Sequence, residues 1–280
     1  MEAIEVALFP SAGSVHVFAA QDEGRFEAAG LDVTVDWVTS SDHQIAGWDA
    51  GRYAVMHTAP DHLLRTGRER RPTIVRAGGI GELAVYHRPD VDLATARWGV
   101  DGPGSAFALV LRALVEDVAE VAVDPEELVP VGGTKERLQA LLDGEVDGTT
   151  LSPPFSQQAE GHGLSRLAGH LDVLPRYLTT VVIAARDDLD SPWLQTYLDV
   201  VTATARELGE AGTGRIAEVL RRRGWGAEVA EAAARGVQGP AGIERSTQIP
   251  TIDDLQSVIS LRQRFFPDWA PPTPVAELLP

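Results

Sequence analysis

Cysteine is absent from this 280-residue chain, and lysine occurs once, at Lys135, against 23 arginines. Without a thiol the chain cannot form disulfides, use a cysteine nucleophile, bind zinc or an iron–sulfur cluster through cysteine, or carry a lipid anchor on cysteine. Apolar residues, by contrast, make up 44% of the chain. A chain of this length and composition can bury a large core and build two ordinary lobes.

Acidic residues outnumber basic ones by 41 to 24, which gives a formal net charge of −17. Such a field repels phosphate backbones and anionic lipids, so we expect no nucleic-acid partner. No window reaches the roughly 18–20 apolar residues that a membrane span needs, so we expect no membrane insertion.

The first residues, MEAIEVALFPSAGS, lack a basic region followed by a long apolar run. They predict a cytoplasmic location, or a periplasmic or extracellular one if a leader has been removed.

Strand-like and helix-like patterns alternate in two separate parts of the chain. Between residues 4 and 58, three strand patterns enclose two helix patterns. The same alternation returns between 96 and 155, where Ser105 and Thr134 are expected to cap the N-termini of helices. Because strands joined by crossover helices pair in parallel, the sequence predicts an α/β protein with mainly parallel sheets flanked by helices.

The two lobes are not separated by a long linker or a low-complexity block. We therefore expect lobe one to comprise residues 1–87 and 187–280, with lobe two, residues 88–186, inserted into it. Strands 83–87 and 179–185 would cross between the lobes as a two-strand hinge, and the ligand cleft would lie between the lobes.

Five segments, together with a strand at 178–185, resemble the type II periplasmic-binding-protein superfamily. Within it, the chain is similar to the branch that contains nitrate, sulfonate and taurine solute-binding proteins and the thiamine-precursor synthases. The segments are FPSAGSVHVFAAQDEGRFEAAGLDVTV (9–35), YAVMHTAPDHLLR (53–65), GVDGPGSAFALVLRALV (99–115), LVPVGGTKERLQALL (128–142) and DGEVDGTTLSPPF (143–155). The resemblance implies a two-lobed type II fold over residues 4 to 190, and matches the helical remainder only loosely.

Two functions are compatible with this resemblance. The first is a substrate-binding protein of the ABC-transporter type, which closes on a small organic solute by hinge motion and, if exported, delivers it to an ABC permease. The solute would be a sulfonate, a carboxylate or an aromatic or heterocyclic compound. The alternative is a cytoplasmic enzyme on the same fold, a lyase, decarboxylase or dehydratase acting on a small organic acid. The absence of cysteine argues against the cysteine-dependent desulfinase and thiamine-precursor synthase chemistries.

The expected site consists of the turns that follow the strands, because ligands of open parallel sheets bind beyond the carboxyl ends of the strands. Apart from Arg76, no arginine or lysine is expected in these turns, so an acidic ligand group would be held by N–H groups and hydroxyls. No cofactor is implied, since GPGS (102–105) lacks the lysine of a P-loop. The predicted ligand contacts are Phe9, Ser11, Ser14, Ser40, Ser41, His57, Thr58 and Gly79 in lobe one, and Asp101, Gly104, Ser105, Gly133, Thr134, Ser152 and Phe155 in lobe two.

Three histidines, His16, His43 and His57, each follow one of the first three strands. They could gather at one edge of lobe one as metal ligands, although their spacing is not a compact ligand motif and His16 and His43 could face solvent from helices. His57 could instead be a general base, and in an enzyme either His57 or Glu82 would be catalytic. We favour His57 as a hydrogen-bonding contact for an enclosed ligand, and expect no metal.

Overall fold

The computed structural model describes residues 1–38, 41–63, 66, 69–271 and 273–280, with only the backbone at residue 41. The chain divides into two compact units. Unit one comprises Met1–Gly81, Leu178–Val258 and Ala270–Pro280, and unit two comprises Glu82–Tyr177 and Ile259–Trp269.

Ten strands and twelve α-helices make up the described chain, apart from short 3-10 turns. The strands are β1 (Glu2–Leu8), β2 (Leu31–Trp37), β3 (Val55–Thr58), β4 (Pro72–Gly78), β5 (Ala84–His87), β6 (Trp98–Val100), β7 (Leu128–Pro130), β8 (Gly148–Leu151), β9 (Ser165–Gly169) and β10 (Thr180–Ala185). The helices are α1 (Val15–Asp22), α2 (Arg25–Ala28), α3 (Ser41–Asp49), α4 (Pro60–Leu63), α5 (Ala106–Ala119), α6 (Thr134–Asp143), α7 (Phe155–Gly161), α8 (His170–Val173), α9 (Pro192–Ala211), α10 (Thr213–Arg222), α11 (Ala227–Val237) and α12 (Ile252–Phe265). Among the described helices, none is both long and apolar enough to span a membrane.

Each unit contains one five-stranded sheet, and the two sheets follow the same plan. Sheet one has the order β2-β1-β3-β10-β4, and sheet two has the order β7-β6-β8-β5-β9. In each sheet four strands run in one direction, and the fifth, β10 or β5, runs antiparallel to both of its neighbours. The expected α/β class with mainly parallel sheets is confirmed.

The division into units differs from the expected boundaries after 87 and before 187. The strand β5 belongs to sheet two, where it pairs with β8 and β9, and β10 belongs to sheet one, where it pairs with β3 and β4. The chain passes between the units at Gly81/Glu82 and Tyr177/Leu178, and again within α12 and after Trp269. The two strands expected to cross are therefore interior members of single sheets.

Several helix ends also differ from the sequence prediction. The first of the two helix patterns between residues 4 and 58 covers residues 15–30, and it forms two helices because Gly24 takes a left-handed conformation at φ 65° between α1 and α2. The N-cap of α6 is Gly133, not Thr134, which is already helical. The expected cap at Ser105 is confirmed, since its Oγ accepts a hydrogen bond from the Ala108 N–H at 3.1 Å.

The helix α1 is buried on more than one side, which fixes the surroundings of His16. Val17 and Ala20 pack with sheet one and α9, while Val15 and Phe18 pack with α10 and α11. From α9, apolar residues at helical spacing face sheet one, among them Leu194, Tyr197, Leu198 and Val201. The hydroxyl of Tyr197 is thereby brought into the layer between α9 and the sheet.

The free edge of sheet one, formed by β4, is covered by later segments of the chain. The Ile74 N–H donates to the Leu278 carbonyl at 2.8 Å, and the Ala77 N–H donates to the Gln248 carbonyl at 2.9 Å. The guanidinium of Arg186 donates to the carbonyls of Glu277 and Leu279, each at 2.7 Å. The two backbone hydrogen bonds satisfy donors on the β4 edge that would otherwise be open to another strand, and Arg186 helps to hold the C-terminal segment.

Candidate functional site

In unit one, β1 leads into a serine-containing turn before α1. The Ser14 hydroxyl donates to the Phe9 carbonyl at 2.8 Å, and the Ser11 and Ser14 hydroxyl oxygens lie 3.4 Å apart. Ser14 is buried, whereas Phe9 and Ser11 are half-buried. The Ser14 hydroxyl therefore stabilises its own turn through the hydrogen bond to Phe9. Ser11 is the more exposed of the two serines.

Glycines bring this turn close to two other segments. A Cβ on Gly13 would lie 2.6 Å from the Gly79 carbonyl oxygen, and one on Gly79 would lie 2.1 Å from the Gly242 carbonyl oxygen. Real Cβ atoms essentially never approach backbone this closely, so both positions require glycine. The predicted ligand contact Gly79 therefore packs between the turn after β1 and the loop that precedes the 3-10 helix Arg245–Thr247.

The side chain of His57 points from β3 toward α9. Its Nε2 lies 2.8 Å from the Tyr197 hydroxyl, and the two rings meet edge to face. Burial, reinforced by the neighbouring His16, lowers the pKa of His57 to about 3. The imidazole is therefore neutral at physiological pH, and burial raises the pKa of the Tyr197 hydroxyl, which also stays neutral.

His16 does not face solvent from its helix but is only 4% exposed. Its ring centroid lies 6.0 Å from that of His57, with the ring planes inclined at 38°. Burial lowers the pKa of His16 to about 4, and the Gly13 carbonyl opposes this shift only in part. Within the described residues, its Nδ1 has no partner in hydrogen-bond geometry. His16 and His57 are thus two neutral imidazoles side by side.

His43 lies elsewhere and takes no part in this pair. Its Nε2 is 3.4 Å from an Asp36 carboxylate oxygen and 3.2 Å from the Tyr53 hydroxyl, and its side chain is 55% exposed. The hydrogen bond from Tyr53 lowers the pKa of Asp36. The structure therefore gathers two of the three histidines, and in the described part of the chain no three acidic or imidazole side chains could together hold a metal ion.

A buried amide, not anticipated from the sequence, joins the ends of β1 and β3. The Gln44 Nε2 donates to the carbonyls of Ala7 at 3.2 Å and His57 at 3.1 Å, and the residue is fully buried. Thr58, a predicted contact, is also buried, and its hydroxyl lies 2.6 Å from the His62 Nδ1. Ser40 and the side chain of Ser41 lie outside the described residues.

In unit two, the turn after β6 is held by Asp101 and Ser105. The Ser105 hydroxyl donates to the Asp101 carboxylate at 2.5 Å while it caps α5. Gly104 is exposed, and its carbonyl accepts from the Arg262 guanidinium at 3.1 Å. Ser105 is therefore a structural cap whose side chain is also tied to an exposed carboxylate.

A buried arginine, Arg137, lies behind these turns, where none but Arg76 was expected. It is 2% exposed, and its guanidinium donates to the carbonyls of Thr150 at 3.2 Å and Gly132 at 3.0 Å and to the Thr134 hydroxyl at 3.1 Å. Among the described residues, the carboxylate within ion-pair range is that of Asp101, at 3.9 Å. Burial lowers the pKa of Arg137, which Asp101 and Glu136 oppose.

No local pattern of the sequence singled out Arg137, which stands four residues after the Gly133 cap of α6. A buried guanidinium needs a set of acceptors, and the carbonyls of Gly132 and Thr150 supply it. Arg76 itself is half-buried, with a pKa lowered by burial, and its guanidinium donates to the Val75 carbonyl at 2.8 Å.

The remaining predicted residues of unit two have mixed surroundings. Ser152 is buried, Phe155 packs partly against the core of unit two, and Gly133 is exposed. Glu82, a candidate catalytic acid, forms an ion pair with Arg166 at 3.0 Å. Its carboxylate also lies over Gly169, where a Cβ would be 2.0 Å from the nearer oxygen. Glu82 thus belongs to unit two, whereas His57 belongs to sheet one.

No protein-family model matches the chain, and no curated protein matches it in sequence. Solved structures do match it in fold. The ligand-binding component of an ABC-type import system from Staphylococcus aureus, with zinc bound, superposes with a TM-score of 0.77 at 12% identity, covering 100% of this chain and 97% of that one. The periplasmic aliphatic sulphonate-binding protein SsuA from Escherichia coli gives a TM-score of 0.73 at 13% identity, covering 100% and 92%.

A third similar structure is the alkanesulfonate-binding protein SsuA from Xanthomonas axonopodis pv. citri bound to MOPS. Its TM-score is 0.70 at 12% identity, covering 100% of this chain and 95% of that one. At such identities the likeness establishes the fold and not the ligand. The chain has the periplasmic-binding-protein fold, as the resemblance implied.

Proposed function

We propose that this protein is a substrate-binding protein of the ABC-importer type and that its ligand is a small organic molecule. The observation that carries the proposal is the match of the whole chain, from end to end, to solute-binding proteins of nearly equal length. A fold hosts many functions, so the site must support the proposal as well.

The turns at the carboxyl ends of the strands provide that support. Unit two offers the N-terminus of α6, which has no side-chain cap, beside the buried guanidinium of Arg137. Helix N-termini and guanidinium groups favour anions. A carboxylate or sulfonate group on the ligand, near Gly133 and Thr134, is consistent with this arrangement and with the sulfonate-binding neighbours.

Three details of this function are predictions from the sequence. These are the ligand contacts, the closure of two lobes on the ligand by hinge motion, and delivery to an ABC permease by an exported form. An acidic chain with a single lysine remains a poor partner for nucleic acid.

The lyase or decarboxylase alternative gains no support from the comparisons, whose named proteins bind or import ligands. Nor do the candidate catalytic groups favour it. His57 is hydrogen-bonded to Tyr197, and Glu82 is ion-paired with Arg166. We therefore propose binding without turnover.

A thermal-shift screen of small sulfonates, aromatic acids and pyrimidines, followed by calorimetry of each hit, tests the proposal. A ligand present at about 100 times its Kd stabilises the folded state by about 2.7 kcal/mol, enough to raise the Tm by several degrees. We expect the hit to be recovered chemically unchanged after long incubation.

Matched variants show whether a hit binds at the predicted turns. Ser152→Ala should weaken binding, whereas Ser165→Ala, at the start of β9 and outside the predicted contacts, should not. Conversion of the hit to product would overturn the binding-protein proposal in favour of an enzyme. A screen without any hit would remove its support.

A further inference from the structure

We propose that His16 and His57 together form a two-imidazole site in unit one that accepts an uncharged hydrogen-bonding group of the ligand, such as a hydroxyl, an amide or a heterocyclic N–H. The inference rests on the proposed binding function and adds a ligand chemistry and a residue, His16, that the sequence did not assign to the site.

The two imidazole rings lie close together, with their centroids 6.0 Å apart. A hydrogen bond spans about 2.9 Å between heavy atoms, so this separation is about the length of two such bonds placed end to end. His16 lies in the first turn of α1, the helix that follows β1, and His57 lies near the end of β3. Because β1 and β3 are adjacent and parallel, the pair lies at the carboxyl edge of sheet one.

The two rings have hydrogen-bonding capacity that the described chain does not use fully. His16 is 4% exposed, and its Nδ1 meets no partner in full hydrogen-bond geometry among the described residues, although the Gly13 carbonyl lies close enough to raise the pKa of the ring. Leaving a buried polar group unpaired costs about 1–3 kcal/mol, so such groups are normally satisfied by protein, water or ligand. His57 is half-buried, and Tyr197 occupies its Nε2. Its other ring nitrogen, Nδ1, makes no hydrogen bond within the described chain.

Tyr197 acts as a positioning residue for this site. Its hydroxyl fixes the ring of His57, while its own ring stacks on Phe26 at 5.5 Å with nearly parallel planes. Because both aromatic rings are fully buried, the imidazole of His57 is held by a rigid support. A preorganised ring loses little conformational freedom when a ligand binds.

The charge state of the pair selects the ligand group. Burial keeps both imidazoles neutral. A carboxylate placed between them would need a proton on one ring to become favourable, whereas a neutral group can accept from one ring and donate to the other. The site in unit one is therefore complementary to an uncharged group, in contrast to the guanidinium of unit two.

The test uses a panel of small molecules in matched pairs, in which each carboxylate or sulfonate has its amide or sulfonamide counterpart, for example nicotinate and nicotinamide. Binding is first detected by thermal shift and calorimetry. The imidazole nitrogens are then observed directly by long-range 1H–15N spectra of histidine-labelled protein. We expect the ring 15N shifts of His16 and His57 to move on binding, while those of the exposed His43 stay fixed.

Variants and proton counting complete the experiment. His16→Phe keeps an aromatic ring but removes both nitrogens, and should weaken binding at least tenfold, whereas His43→Phe should leave it unchanged. Calorimetry in two buffers of different ionisation enthalpy should show no proton uptake. Because the 15N measurement is made on the unaltered protein, it decides the matter even where a variant fails to fold.

The outcomes separate this inference from the proposed function. Compounds that bind with unchanged His16 and His57 signals overturn the two-imidazole site but leave a binding protein. Binding with uptake of about one proton overturns the uncharged ligand group. Absence of binding across the whole panel counts against both.

Discussion

The two units share one strand plan but differ in the chemistry at the carboxyl ends of their strands. Unit one places two neutral imidazoles, His16 and His57, next to a buried tyrosine. Unit two places a buried guanidinium, Arg137, among backbone carbonyls. In each unit the shared topology places the turns that follow the parallel strands at the carboxyl edge of the sheet. The side chains of those turns determine the charge at that edge.

Burial acts differently on the two kinds of group. An imidazole has an ordinary pKa near neutrality, so desolvation makes it give up its proton. A guanidinium keeps its charge even when its pKa is lowered, and must be satisfied by acceptors. Unit one can therefore bury its nitrogens without counter-ions, whereas unit two needs the carbonyls of Gly132 and Thr150 and the nearby carboxylate of Asp101.

Replacing the buried cation of unit two should have the largest effect. Arg137→Met leaves the carbonyls of Gly132 and Thr150 without their donors, so we expect the free energy of unfolding to fall by about 2–4 kcal/mol. Urea denaturation followed by circular dichroism measures the loss. The control Arg221→Met removes one exposed contact, 3.4 Å from Glu231, and should cost below about 1 kcal/mol. Equal effects of the two changes would show that the buried charge does not stabilise unit two.

The close approach of backbones in unit one predicts the next largest effect. Gly79→Ala places a methyl group against the carbonyl oxygens of Ala241 and Gly242, which are backbone atoms and cannot move aside cheaply. We expect a loss of about 2–3 kcal/mol by denaturant unfolding. Gly161→Ala, in α7 of unit two with nothing within 4 Å, should be neutral or slightly stabilising. A neutral Gly79→Ala would contradict the packing described for unit one.

Acidification distinguishes the two units by their titratable groups. His16 and His57 have folded pKa values of about 4 and about 3, below the ordinary value of 6.5, so the unfolded chain binds more protons between about pH 4 and 6.5. Their stabilising contribution is complete above pH 6.5 and declines as the pH falls. Between pH 7.5 and 5.5 we expect a loss of about 1 kcal/mol per histidine.

The free energy of unfolding of a His16 variant, measured over the same pH range, shows how much of the loss comes from His16. In His16→Phe the pH-dependent loss over this range should be about half as large, because one of the two histidines is gone. Arg137 in unit two keeps its proton throughout and contributes no slope. An unaltered slope in the variant would mean that His16 is not held neutral by burial.

The smallest predicted effect concerns the hydrogen bond between Tyr197 and His57. Tyr197→Phe removes the hydroxyl and should lower the free energy of unfolding by about 1 kcal/mol. A double-mutant cycle with His57→Phe should give a coupling energy of similar size. Additive losses would mean that the 2.8 Å contact contributes nothing to unit one.

Local patterns predicted the fold well but did not anticipate the burial of His16 or of Arg137. The alternation of strand and helix patterns, together with the Ser105 cap, follows from short-range rules that this chain obeys. His16 was misjudged because one face of a helix is usually solvated, whereas α1 packs against sheet one on one side and α10 and α11 on the other. Arg137 was missed because its long side chain reaches back to the turn before its helix, a direction that spacing alone does not reveal.

The unit boundaries could not be read from the sequence for a different reason. A strand beside a boundary carries no local mark of the sheet that it will join. β10 enters sheet one by pairing with Thr58 and Gly78, both more than 100 positions earlier in the chain. Only the long-range pairing distinguishes an interior strand from a hinge.

The position of β10 in sheet one also sets an order of events during translation. β4 pairs with no strand of sheet one other than β10 in the described chain, and roughly 100 residues separate the two. At about 5–20 residues per second, the ribosome needs about 5–20 s to produce β10 after β4 has emerged. All five strands of sheet two are made within that interval. The sheet that is inserted in the sequence can therefore be completed first, while the sheet that begins at the N-terminus waits for β10, the strand that joins β3 to the edge strand β4.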